Sequence, residues 1–273
     1  MSQNPAVLNK LKQEPNYSVQ VGLGIGALIV VIVASNIFMP FNGLTETGLK
    51  ISMNILSSIF SPNLDFLLDF NSTGGVPYLM LETMAIAFLG TIIGVIVSIP
   101  MAFISSRNIM PKSIAHIGVL IITVIRTFPA VVYGLMFIRV TGPGPFTGVL
   151  TLAIASVGMV SKLFIEVIED LDPGITEALD ASGCSTLQKI QYGIIPQLMG
   201  NFISTSIYRF EINIKYATIL GMVGAGGIGA PLIFAISAYR WKDAGALLIG
   251  LIVTVLIVEM LSTRLRKKLA TGQ

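Results

Sequence analysis

Four ionisable residues sit where water is scarce: Arg126, Arg209, Glu211 and Lys215 all fall inside long apolar runs. At a bilayer centre each costs about 2.5–3.5 kcal/mol, so each needs a partner or water. Glu211 and Lys215 are spaced i, i+4 and can pair along one helix. At a rise of roughly 1.5 Å per residue, Arg126 and Glu211 both lie roughly 18 Å from the near ends of their runs and are expected to pair between helices. Such a pair either only fixes packing or lines a polar route. Three cations against one anion leave a net positive field suited to an anionic solute. Pro129, just beyond Arg126, is expected to kink its run and turn freed backbone groups toward a cavity.

Other chemistries find no support. His116 is the only histidine and Cys184 the only cysteine, which excludes an intrachain disulfide and a cysteine metal site. No nucleophile–base pair or metal-ligand set stands out. Gly224-Ala225-Gly226-Gly227-Ile228-Gly229 fits G-x-G-x-x-G, but the dinucleotide fingerprint needs a preceding strand and a following acidic residue. Here it follows an apolar run, so the glycines read as a helix break that lets backbones approach closely. The phosphate-cradling sequence G-x-x-x-x-G-K-[ST] does not occur, so the chain has no P-loop ATPase site of its own. The net charge of +3 does not point to nucleic acid, because the basic residues sit in loops and at the ends.

The elements that position these residues follow from composition. Of 273 residues, 53% are hydrophobic and only 11% charged, against about 25% in a soluble domain. Several apolar runs reach the roughly 20 residues needed to cross the hydrocarbon core. The fold class expected is an all-α polytopic membrane protein with about six transmembrane helices. The spans are read at 18–39, 80–105, 113–140, 146–168, 196–223 and 244–260. The first is too long for a typical signal segment and lacks a clear cleavage site, so it reads as retained. Lys10 and Lys12, then Arg107 and Lys112, then Arg264, Arg266, Lys267 and Lys268 share one side for an even number of spans. By the positive-inside rule that side is cytoplasmic, and both termini lie there. The loop 40–79, with Asp65 and Asp69, then faces outward, and its apolar stretch 51–70 is expected along the outer surface. The G-x-x-x-G pairs Gly22/Gly26 and Gly90/Gly94 favour close helix contact but recur by chance.

Between the fourth and fifth spans lies a polar island. Asp172-Pro173 is a helix start, Ile175 and Leu179 share one face, and Gly183 ends the helix. Ser185 with Gln188 is a capping box for a second helix, and Pro196 opens the fifth span. Two capped helices and a glycine elbow make a compact cytoplasmic knob. Glu177-Ala178-Leu179-Asp180-Ala181-Ser182-Gly183 with Gly193-Ile194-Ile195-Pro196 resembles the EAA loop of ABC importer permeases. Glu177, Ala178, Gly183 and Pro196 match in register. Leu179 replaces the second alanine, Gly193 stands where isoleucine is usual, and Ile195 replaces leucine.

Further blocks resemble the phosphonate-importer permeases within the methionine-type permease fold. These are 126–130, Ser161-Lys162-Leu163-Phe164 with Glu169, Asp172-Pro173-Gly174, Tyr208-Arg209-Phe210-Glu211-Ile212-Asn213 and 221–229. The resemblance implies a core at 80–262 with its coupling loop at 172–196, preceded by an N-terminal tail, first span and outer loop (1–79) and followed by a basic cytoplasmic tail (263–273). It also implies a homodimer in a prokaryotic cell membrane, two separate ABC ATPase subunits that bind the ATP and magnesium, and an extracytoplasmic binding protein. Glu177, Ala178, Leu179, Gly183 and Pro196 would couple to the ATPases. Arg126, Pro129, Arg209, Glu211 and Lys215 would line the route or pair within it. The alternative is a stand-alone secondary transporter in which Glu211 and Lys215 relay protons; the paired inverted repeats that would favour it are not evident.

Overall fold

The computed structural model describes residues 17–38 and 46–271. It divides into two units, 1–53 and 54–273. The first holds α1 (Ser18–Phe38) and the start of α2 (Glu46–Ile59). The second holds the end of α2, α3 (Leu64–Leu67), α4 (Val76–Ser105), α5 (Lys112–Thr127), α6 (Ala130–Thr141) and α7 (Pro145–Glu169). It continues through α8 (Pro173–Ala181), α9 (Thr186–Gln188), a π-helical turn (Lys189–Ile194), α10 (Ile195–Met222), α11 (Gly229–Ser237) and α12 (Trp241–Thr271). Lys10 and Lys12, used to orient the chain, lie outside the described residues.

The six expected spans coincide with α1, α4, the α5–α6 pair, α7, α10 and α12. Among the described residues, α4, α7 and α12 are each long and apolar enough to cross a membrane, and α5 with α6 adds a fourth as a bent pair. Charge sets α10 apart: it is 28 residues long but carries Arg209, Glu211 and Lys215. Two boundaries differ from expectation. The third span is broken by 83° rather than kinked, because Pro129 caps α6 instead of lying inside a helix. Residues 263–271, expected as a tail, continue α12 as helix. The run of good helix formers from Leu261 to Leu269, without glycine or proline, gives the chain no reason to stop.

The centre of the second unit is α4 laid along α7. A Cβ at Gly90 would stand 2.6 Å from the Leu152 Cβ, and one at Gly94 would stand 2.4 Å from the Ser156 Cβ and 2.9 Å from the Ala153 carbonyl. The G-x-x-x-G pair that sequence alone could not weigh is thus the contact stripe. Around it, Ile86, Ala87, Val149 and Leu152 meet Ile214, Ala217 and Leu220 of α10. Toward the knob end, Phe103, Phe164 and Phe202 close a second cluster. At the opposite end Val76, Leu79 and Met80 pack on Leu232, Ala235 and Leu247. There Asn63 ties α3 to α12: its backbone N–H donates to the Lys242 carbonyl at 3.1 Å and its side-chain amide to the Asp243 carboxylate at 2.9 Å.

With no space for a methyl between α4 and α7, Gly94→Ala is expected to lower stability by about 1–3 kcal/mol, the cost of overpacking. Gly200→Ala is the control, since its Cβ would meet only the Leu269 carbonyl at 3.9 Å. Thermal unfolding of the two variants in detergent, with Gly200→Ala unchanged or stabilised, checks this.

Candidate functional site: the knob and the charge-bearing helices

The knob forms as its caps dictate. The Asp172 carboxylate accepts from the Gly174 N–H at 2.9 Å, and Pro173 opens α8. Gly183 turns left-handed at φ +74°, and a Cβ there would meet nothing within 4 Å, so the elbow's demand for glycine is purely backbone. Ser185 and Gln188 bond reciprocally, side chain to backbone, at 3.4 and 2.8 Å. α9 does not then stop. It runs through the π-helical turn into α10, where Pro196 lies in the first turn and the Ile195 N–H reaches back to the Ile190 carbonyl. A proline cannot donate to the residue four before it, and its ring crowds that carbonyl; widening the preceding turn relieves both. Pro196 is therefore a join, not the start of a separate span.

Ile175 and Leu179 share one face of α8, as expected, and that face is turned to the π turn at Gly193. A Cβ at Gly193 would lie 2.4 Å from the Leu179 Cδ1. Two of the three departures from the EAA pattern are one substitution in space: the larger residue at 179 occupies the room left by the glycine at 193. Lys189 pairs with Asp180 across the same contact. Glu177 and Ala178 point outward, exposed, and Glu177 has no polar partner among the described residues. Beside the knob, the α4–α5 loop is tied to the end of α7: the Asn108 amide donates to the Ile168 carbonyl at 2.7 Å and the Arg107 N–H to Glu169 at 2.9 Å.

The intramembrane charges are arranged differently from expectation. Glu211 does not pair with Arg126. Its carboxylate is held by Arg266 of α12 at 3.0 Å and, more loosely, by Lys215 at 3.9 Å. Arg266 also lies over the Tyr208 ring, 5.5 Å from its centre. The sequence hid this partner because Arg266 looked like part of a tail. Arg126 is exposed on the knob-proximal side of the helix break and makes no ion pair among the described residues. The Tyr133 hydroxyl donates to the Ile125 carbonyl at 2.9 Å, satisfying one backbone group that the break at Pro129 would free.

Arg209 is 4% exposed and has no carboxylate partner among the described residues. Its Nε donates to the Ser156 hydroxyl at 3.0 Å, Nη1 meets the Met159 sulfur at 2.9 Å, and the guanidinium stands 5.8 Å from the Tyr216 ring centre. The fully buried Asn213 donates to the same Ser156 oxygen at 2.9 Å and to Thr91 at 2.8 Å, while its own Oδ1 has no partner. Ser156 and Met159 escaped the sequence reading because nothing in their types marks them. Their only signal is the apolar helix they share with Gly158.

The glycine-rich turn after α10 is a helix reversal. Gly221 and Gly229 touch backbone to backbone, and Gly226 and Gly227 adopt φ +81° and +72°. The N–H groups a phosphate would need are taken: Gly227 donates to Glu82 at 3.2 Å and Ile228 to Thr83 at 2.9 Å.

These features agree with what the chain is similar to. It matches the family described as binding-protein-dependent transport system inner membrane component over residues 90–271, and it belongs to that family, the membrane permeases of ABC transporters. It is 34% identical to the phosphite transport system permease protein PtxC of Stutzerimonas stutzeri over 69% of each chain. It is 47% identical to the putative cryptic phosphonate transport system permease protein PhnE2 of Escherichia coli, over 43% of this chain and 97% of that one. A phosphate-import permease protein PhnE of Mycolicibacterium smegmatis is 32% identical over 89% of this chain, which spans only 45% of that protein. In fold it resembles a chain of the inward-facing MetNI methionine ABC transporter, with TM-score 0.61 and 18% identity over 70% of this chain and 94% of that one. The fold is the type I ABC importer permease fold, and family membership displaces the stand-alone secondary transporter.

The Glu211–Arg266 pair joins α10 to α12. Glu211→Gln and Arg266→Gln are expected to be non-additive, with a coupling of about 0.5–3 kcal/mol in a double-mutant cycle on unfolding, whereas Glu211→Gln and Arg126→Gln should add.

Proposed function

We propose that this chain is the permease subunit of an ABC importer that carries phosphonate, or a related phosphorus oxyanion such as phosphite, into a prokaryotic cell. It works as a homodimer embedded in membrane lipid with both termini cytoplasmic. Two ABC ATPase subunits bind ATP and magnesium, and an extracytoplasmic binding protein delivers the cargo. The observation that carries the reading is the similarity to PtxC over 69% of this chain and to PhnE2 over 43% of it. The electrostatics support it: Lys215 and Arg266 share the Glu211 carboxylate while Arg126 and Arg209 have no carboxylate partner among the described residues, which leaves a field that favours an anion.

The coupling role falls to the exposed face of α8 at Glu177 and Ala178, with Leu179, Gly183 and Pro196 setting its shape. α8 is capped at its start and docked on the π turn, so a load applied to it passes into α10 rather than dissipating in a loose loop. ATP-driven closure of the ATPases would then shift the helix that bears Arg209, Glu211 and Lys215.

The test is uptake of labelled phosphite and methylphosphonate into proteoliposomes holding the full complex, with phosphate as competitor. ATP-dependent uptake of either compound is the expected result; uptake that persists without any ATPase overturns the reading. A residue with a Cβ pays roughly 1–2 kcal/mol in the left-handed region. Gly183→Val is therefore expected to cut ATP-driven uptake about tenfold and to weaken co-purification of the ATPase, while the bundle itself stays folded.

A further inference from the structure

We infer that one stripe of α7, formed by Ala155, Met159, Lys162 and Glu166, lines the route of the anion, with Met159 covering the Arg209 guanidinium and Lys162 serving as the next cationic contact. This rests on the cargo being a phosphorus oxyanion.

The stripe follows from helix geometry. Positions 155, 159, 162 and 166 are spaced i, i+4, i+7 and i+11, which at about 100° per residue fall within about 60° of one another. All four are half-buried or exposed, on a helix whose other sides are largely enclosed. The neighbours on the two flanks are cationic. On one side Ser156 and Met159 touch Arg209 of α10. On the other, a Cβ at Gly158 would lie 2.8 Å from the Arg126 Cγ of α5. The two arginines thus stand at the same level of α7, one on each edge of its uncovered stripe.

Lipid is a poor occupant for this face. Lys162 and Glu166 pair at 3.1 Å with their side chains 44% and 51% exposed, and charges turned toward hydrocarbon cost up to about 2.5–3.5 kcal/mol each at the bilayer centre and less toward its edge. A watered cleft removes that cost. Glu166 then acts as an exchangeable counter-ion: an arriving oxyanion displaces it from Lys162 without leaving a bare charge. One turn deeper, the flexible Met159 thioether lies on Arg209, and a rotamer change would uncover a guanidinium held in place by Ser156. Asn213, which donates to the same Ser156 oxygen, fixes that hydroxyl from behind.

Two measurements on the full complex, in a Cys184→Ser background, test this. In the first, Ala155→Cys and Met159→Cys in proteoliposomes meet an anionic methanethiosulfonate present on both sides. Ile252→Cys, on an exposed mid-helix apolar face of α12, is the control. Because only a hydrated thiolate reacts, the α7 positions should label about tenfold faster than the control. Labelling no faster than at position 252 overturns the stripe, whether lipid or a second copy covers it. In the second, Lys162→Gln should raise the KM for oxyanion uptake about tenfold, with Lys162→Arg restoring most of it. An unchanged KM in Lys162→Gln overturns its contact role. If the wild type carries no phosphorus oxyanion, the cargo reading fails and labelling alone decides the stripe.

Discussion

The close approach of α4 to α7 is the constraint on which the rest of the second unit depends. Gly94 stands against Ser156, so the serine can sit at the helix crossing with its hydroxyl turned toward α10. That hydroxyl then accepts from both Arg209 and Asn213. Without it, a guanidinium buried to 4% exposure would have only a thioether and an aromatic face for partners. Burying a charge is costly unless the group is hydrogen-bonded, so the position of Arg209 depends on a glycine of α4 through the serine that the glycine accommodates. A side chain at position 94 would push α4 off α7, and Thr91, which accepts from Asn213, would move with it.

The second organising link is mechanical. The knob helix α8 is docked by Leu179 on Gly193, and the π turn that contains Gly193 continues into α10 without a break. α10 carries Arg209 toward α7 and Glu211 toward α12. A rigid element at the bundle end is therefore one helix away from both polar contacts. The π turn, a departure from α geometry along that line, is the natural place for it to bend, and it lies between knob and charges rather than among them.

Hydropathy made the long helices legible, and local chemistry made the caps legible: Asp172, Gly183 and the Ser185–Gln188 box all behave as their residue types require. The partners of the buried charges were not legible. Depth matching suggested Arg126 for Glu211, but depth is a single coordinate; the position of Arg266 around the bundle depends on how far α12 continues as helix. The break between α5 and α6 escaped for a related reason. A proline within an apolar run signals a kink or a break equally well, and the 83° angle is set by what packs around it. Ser156 and Met159 were invisible because a serine and a methionine in a membrane helix are unremarkable until the arginine that reaches them is in place. The Leu179/Gly193 exchange was visible only as two separate oddities, since complementarity in volume appears once the two are in contact.

Arranging the cations has a consequence for the proposed transport of an anion. A site that conducts must attract its solute and still release it. Four cations converging on one point would hold a phosphorus oxyanion too tightly to pass it on. Here the charges are distributed and partly occupied: Arg266 and Lys215 share Glu211, Lys162 holds Glu166, and Arg209 spends donors on Ser156 and Met159. Of these five cations, Arg126 alone is both exposed and without an ion-pair partner among the described residues. Such a row offers an anion a succession of moderate contacts, each regained by a resident partner as the solute leaves. Selectivity among phosphite, phosphonate and phosphate would then not be written in this row, because all three present similar anionic oxygens to it. On that proposal the row would supply passage, and discrimination would fall to the protein that hands the anion over.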